Sequence, residues 1–139
     1  GEHVSLGASY RLSQADLEDR FVNIPAAATT TGGFAASREL TATLHWVNLF
    51  ARFHHTCGFF SEASALWAVQ SNHGYTPNVP GDDFWQFNLY AGYRFPNSVA
   101  EVRVGLLNLT DQDYRLNPLN LYYELPRERT LAASLKFNF

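Results

Sequence analysis

The chain has 139 residues, enough for one domain, with 17% charged and 15% aromatic residues, where an ordinary soluble domain carries roughly 25% charged. Its 10 Lys and Arg against 13 Asp and Glu give a formal charge of -3, and the basic residues are scattered along the sequence, which argues against nucleic-acid binding. The single cysteine, Cys57, excludes an intramolecular disulfide and a cysteine-based zinc cluster and is expected to act as a small packing residue.

No apolar run approaches the ~18 residues of a membrane helix, and mean hydropathy is -0.21. A membrane β-barrel escapes that test, because only alternate residues of its strands meet lipid. The sequence has no Met and begins Gly1-Glu2 directly before an alternating segment, the expected appearance of a piece of a longer chain.

Period-two alternation recurs along the sequence. From His3 to Leu12, the residues Val4, Leu6, Ala8, Tyr10 and Leu12 oppose a polar or small set. From Glu39 to Trp46, Leu40, Ala42, Leu44 and Trp46 alternate with Glu39, Thr41, Thr43 and His45, which predicts an outward apolar face and a lumen-facing His45. Phe59 to Gln70 alternates less cleanly, with Phe60 and Leu66 breaking the pattern. Trp85 to Phe95 is the clearest case: Trp85, Phe87, Leu89, Ala91, Tyr93 and Phe95 share a face that helical spacing cannot produce. Ala100, Val102, Val104 and Leu106 form a fifth set, and Leu131, Ala133, Leu135, Phe137 and Phe139 a sixth. The fold class is all-β, an antiparallel meander of about six amphipathic strands in a partial transmembrane β-barrel, most strands near the ~9 to 11 residues a tilted membrane strand needs.

The connections alternate in length. The stretch from Pro25 to Gly33, with its Gly32-Gly33 bend, and the segments Asn72 to Asp83 and Thr110 to Arg127 are long, whereas Pro96 to Ser98 is a tight turn. Long loops outside and short turns inside are the asymmetry of outer-membrane barrels. The link from Val47 to Gly58 is long for a periplasmic turn. With the long loops outside, Tyr10, Trp67 and Trp85 fall near the outer strand ends, and Trp46, Phe59, Phe95, Phe137 and Phe139 near the inner ends, as two aromatic girdles.

The terminal Phe139, sharing a face with Phe137, Leu135, Ala133 and Leu131, resembles the C-terminal signature of outer-membrane proteins. Asn108-Leu109-Thr110-Asp111-Gln112-Asp113-Tyr114, then Pro126-Arg127-Glu128-Arg129-Thr130, and Tyr93-Arg94-Phe95 before a turn resemble motifs of TonB-dependent receptors. The resemblance covers most of the chain from about Gly58 onward and, more loosely, the first two strands. It implies a barrel of about 22 strands around a plug, importing a siderophore, cobalamin or glycan with energy delivered through TonB. Residues 1–139 are then a C-terminal barrel segment lacking the plug and the remaining strands. Implied partners are outer-membrane lipid, the barrel-assembly machinery reading Leu131, Leu135, Phe137 and Phe139, TonB through the absent plug, and a small-molecule ligand. The implied location is the cell outer membrane.

His73, Tyr75, Tyr122 and Tyr123 are the candidate ligand contacts, since loop rings stack on sugars or aromatic ligands at low conformational cost. His45, His54, His55 and His73 lack metal-ligand spacing, and Asp82-Asp83 with Asp111 and Asp113 supply too few oxygens for Ca²⁺ and read as solvated carboxylates and Asx turns. No nucleophile elbow or phosphate loop occurs, so no enzyme, cofactor or metal is expected. Asn108-Leu109-Thr110 matches a glycosylation acceptor but reads as a strand end. Two alternatives stay open: a soluble lipocalin-like barrel with an apolar interior, and a small standalone outer-membrane barrel. They turn on which face is inside, which alternation leaves undecided.

Overall fold

The computed structural model describes residues 3–20, 22–23, 37–75, 77–116 and 125–138. Among the described residues, six strands form one antiparallel sheet in simple chain order: β1 (His3–Arg20), β2 (Ser37–His54), β3 (Phe59–His73), β4 (Asp83–Arg94), β5 (Ala100–Leu107) and β6 (Thr130–Phe137). A one-turn 3-10 segment, Pro96–Ser98, joins β4 to β5. The meander is open, with β1 and β6 at its two edges.

β1 and β2 run for 18 residues each, well beyond the expected His3 to Leu12 and Glu39 to Trp46. They pair without interruption from His3↔His54 to Arg20↔Ser37, so the ladder continues where side-chain alternation fades. The apparent long link after Val47 is mostly strand. The β2–β3 turn is only His55 to Gly58, closed by Gly58 N–H to His55 O at 3.1 Å and His55 N–H to Phe59 O at 2.9 Å. Gly58 has φ of 99°, and a Cβ there would overlap the Arg94 carbonyl that lies alongside. Cys57 sits exposed in this turn, so it packs nothing, contrary to expectation: a four-residue turn has no interior to fill.

Directly opposed residues of an antiparallel pair share a face, so the register separates the two sides of the sheet. Over one side, termed the covered face, folds the segment from Asn108 to Leu116. Tyr114 and Leu116 pack there with Leu44, Ala68 and Phe84, flanked by Trp46 and Leu125. The other, open face carries Leu6, Tyr10, Leu49, Trp85, Phe87, Leu89, Val104 and Leu131 in exposed positions.

This partition corrects the reading of β2. Ala42, Leu44 and Trp46 lie on the covered face opposite Asn72, Gln70 and Ala68, whereas His45 pairs with Leu12 and Val69 on the open face. His45 therefore shares the open face with Leu12 and Val69, the reverse of the side expected for it, and Trp46 lies on the opposite face from Phe59 and Phe137. The polarity of β2 reverses along its length: near the loops the covered face is dry beneath Tyr114 and Leu116, and toward the turns Val47, Leu49, Ala51 and Phe53 make the open face apolar.

Candidate functional site

The open face is banded by height. One row, Leu6, Ala51, Ala63, Leu89, Leu106 and Leu131, crosses all six described strands and is wholly apolar. Toward the loops lie Trp67 and Trp85, directly paired and stacked at 6.0 Å, with Phe87 stacked on Trp85 at 6.1 Å. Tyr10 joins this band by hydrogen bonding to His45 Nδ1 at 2.9 Å. Toward the turns lie Phe53, Phe59, Tyr93, Phe95 and Phe137, with Phe53 and Phe59 rings 6.4 Å apart and Tyr93 edge-on to Phe95 at 5.2 Å.

The Trp67↔Trp85 and Phe59↔Tyr93 rows are eight residues apart along β3 and β4. At ~3.3 Å per residue this is roughly 26 Å along the strands, which at the ~40° tilt of a membrane barrel strand would be roughly 20 Å of height. Beyond the tryptophan band the next row of the same face mixes Leu12 and Val69 with His45 and Asp83, and the row after it is polar on β1, β2 and β3, with Gln14, Thr43 and Ser71. On β1, β2 and β3 the apolar surface thus ends at one height.

The covered face is polar at its centre. Gln86 and Asn108 are fully buried, and Gln70 nearly so. Asn108, in the left-handed region at φ 51°, donates from Nδ2 to the carbonyls of Gln112 at 2.9 Å and Pro126 at 3.1 Å, and its Oδ1 accepts the Gln112 N–H at 2.8 Å. Its own N–H donates to Asn88 Oδ1 at 2.9 Å. Tyr114 stacks on Phe84 at 4.7 Å and donates its hydroxyl to the Leu125 carbonyl at 2.5 Å. The Asn108 to Tyr114 motif is thus the hinge and fastener of the segment that covers the sheet, and the buried Asn108 cannot serve as a glycan acceptor in the folded chain.

The loop carboxylates do more than was expected of solvated groups. Asp82 accepts the Arg115 N–H at 2.6 Å and Asp111 accepts the Arg129 N–H at 2.8 Å, tying together segments distant in sequence. Asp113 and Asp82 also make the anticipated local contacts, to the Tyr114 N–H and the Asp83 N–H, each at 2.9 Å.

Of the residues picked out in the sequence, His73 ends β3 in an exposed position, and Tyr75 follows Gly74 half-buried at the same loop end. Tyr122, Tyr123 and Phe139 lie outside the described residues. Leu131, Leu135 and Phe137 line the open face of β6, opposite Leu106, Val102 and Ala100. Among the described residues no group of three or more His, Cys, Asp or Glu is gathered as a metal site, and no helix is long and apolar enough to cross a membrane.

Sequence reasoning missed a recurring arrangement on the covered face. Gly7, Gly92 and Gly105 stand directly opposite Phe50, Phe60 and Tyr90. Each ring lies across its glycine, where a Cβ would overlap it. An arginine rests on each ring: Arg52 on Phe50 at 4.8 Å, Arg94 on Phe60 at 5.8 Å and Arg103 on Tyr90 at 3.8 Å. Each arginine is two residues from the ring or the glycine on the same strand, but the ring and glycine are on different strands, so only the register unites them. No known protein family, curated protein or solved structure matches the chain.

Proposed function

We propose that this chain is a wall segment of an outer-membrane β-barrel, lipid meeting the open face and the covered face lining the lumen. The observation that carries the reading is the open face: an apolar row across six strands, bounded by aromatic bands roughly 20 Å apart, beyond which the same face becomes polar. Amphipathic rings favour the headgroup level and the aliphatic row the hydrocarbon. The short turns and long loops give the orientation, with His55 to Gly58 and Pro96–Ser98 toward the periplasm. The role is transport or binding, with no catalysis.

Within that class we favour the TonB-dependent receptor kind, on the resemblance of the Asn108 to Tyr114, Pro126 to Thr130 and terminal strand motifs. His73, Tyr75, Tyr122 and Tyr123 then belong to the external loops that meet the imported ligand. The reading frame upstream of Gly1 tests this assignment: further alternating strands and a plug are expected, and a start codon with a signal peptide immediately before Gly1 overturns it. The lipocalin-like alternative finds less support, because the face enclosed by the Asn108 to Leu116 segment carries Gln70, Gln86, Asn88, Arg52, Glu62 and Arg103.

Bilayer placement is tested with single-tryptophan variants refolded into vesicles of brominated lipid. Trp67 and Trp85 are expected to be quenched best by bromines high on the acyl chains, and the covered-face Trp46 to be spared. A chain that is monomeric and folded in buffer without detergent, with Trp67 and Trp85 open to iodide, overturns the reading.

A further inference from the structure

The three glycine, ring and arginine sets gather charge at the turn end of the covered face. Among the described residues, Arg52, Arg94, Arg103 and Lys136 stand there with two carboxylates, Glu62 and Glu101. The chain as a whole has more acidic than basic residues, 13 against 10, so this cationic excess is a local segregation. Three of the four cations are guanidiniums already held in place by rings, which lowers the entropy lost when they engage a partner.

The internal ion pairs leave the excess unspent. Glu62 meets Arg52 at 2.7 Å and Arg103 only at 3.8 Å, while Glu101 is taken by Arg94 at 2.9 Å. The carboxylates lie deeper than the guanidiniums: Glu62 and Glu101 side chains are 19% and 27% exposed, against 49%, 48% and 36% for Arg52, Arg94 and Arg103. The acids hold Arg52 through Nε and Arg94 through Nε and Nη2, while a third to a half of each arginine side chain stays exposed. Arg103 Nε is buried and, among the described residues, has no acceptor, an arrangement that costs free energy unless something supplies one.

The space is there. A cavity of about 180 Å³ opens between Arg52, His54, Glu62, Arg94, Glu101 and Arg103, and a second of about 160 Å³ lies across Arg103 on a floor of Gly105, Ala132 and Ser134. The glycines that let the rings lie flat also keep this floor low.

We propose that the turn end of the covered face is a binding site for a small oxyanion, a carboxylate or phosphate group of a solute, held by Arg52, Arg94 and Arg103. Guanidinium forks match both groups through paired N–H···O contacts. The site goes beyond the barrel reading and does not depend on what the open face meets.

The test titrates the full chain, folded in detergent micelles free of phosphate and carboxylate buffer, with pyrophosphate and separately with citrate, by calorimetry. Saturable binding of at least one anion is expected, weakened roughly tenfold or more by Arg103→Gln and less by Arg103→Lys, which keeps the charge but not the fork. Arg11→Gln, on the same face but over the Trp46 ring near the loops, leaves affinity unchanged. Circular dichroism verifies that each variant is folded, and Arg94→Gln repeats the measurement at a second guanidinium. Absence of saturable binding by both anions overturns the proposal, as does equal affinity in the wild type and in folded Arg103→Gln and Arg94→Gln.

Discussion

Trp67 donates its indole N–H to the Asp83 carboxylate at 2.8 Å, joining β3 to β4 on the open face at the edge of the Trp67–Trp85 stack. The bond fixes the ring with its polar edge toward the loops and its apolar body toward the aliphatic row. Asp83→Ala is expected to cost about 0.5–1.5 kcal/mol of stability and to broaden the emission of a Trp67-only variant, measured by denaturant titration and fluorescence in micelles. An unchanged spectrum would mean that the bond does not orient the ring.

The open face gives a depth-dependent prediction. Leu89 lies in the apolar row midway between the aromatic bands, and Tyr93 lies in the turn-side band. In a bilayer, Leu89→Lys should cost roughly 2–4 kcal/mol and Tyr93→Lys about 0–1 kcal/mol beyond any packing loss. On a soluble protein, both positions would behave as ordinary surface sites, each within about 0.5 kcal/mol of wild type. Urea unfolding from vesicles measures the difference, and equal small costs would count against lipid at this face.

Asn108 is the fastener of the covering segment, with three side-chain hydrogen bonds in a fully buried position. Asn108→Ala leaves the Gln112 carbonyl and N–H short of a partner, leaves the Pro126 carbonyl to Gln86 Nε2 alone at 3.2 Å, and puts alanine at φ 51°, so a loss of about 2–4 kcal/mol is expected. Faster amide exchange at Gln112 and Tyr114 should accompany it. Asn108→Asp should fare no better, because a carboxylate cannot donate to the Gln112 and Pro126 carbonyls. A loss below about 1 kcal/mol would mean that Tyr114 and Leu116 hold the segment without it.

For the terminal strand, Phe137 separates an assembly role from an anchoring one. Burying one Phe is worth roughly 1.5–3 kcal/mol, a modest part of what a whole barrel gains. If the assembly machinery reads the open face of β6, Phe137→Ala lowers outer-membrane insertion in cells by more than it lowers refolding into micelles. Equal losses in the two assays leave only an anchor at the headgroup level.

β4 was legible in the sequence because its two faces keep one character from Trp85 to Phe95: every odd position is open and apolar to the end. β2 was misread for the opposite reason. Its apolar face changes sides near His45, because the covering segment dries the upper covered face, and nothing within β2 itself encodes that segment's position. The Asn108 to Tyr114 motif stood out as a string, but its work lies in bonds to Asn88 and Pro126, contacts that only the folded chain brings together. The arginine site was hidden at the same level: Arg52, Arg94 and Arg103 are scattered along the chain and meet only when four strands are in register.

That register makes a prediction with a sign change. A methyl group at Gly105 would overlap the Tyr90 ring lying across it, so Gly105→Ala should displace the ring and cost about 1–3 kcal/mol by overpacking. Displacing the ring also removes the shelf on which Arg103 rests at 3.8 Å, so anion affinity should fall with stability. In a Tyr90→Ala background the overlap is gone. Alanine in a strand is there preferred over glycine by roughly 0.5–1 kcal/mol, because glycine loses more backbone freedom on folding, and Gly105→Ala should become neutral or stabilising. Denaturant titration of the two single variants and the double variant reads the coupling directly. If Gly105→Ala costs the same in both backgrounds, the ring does not occupy the space above Gly105, and the packed glycine, tyrosine and arginine set is not how β4 and β5 hold the guanidinium.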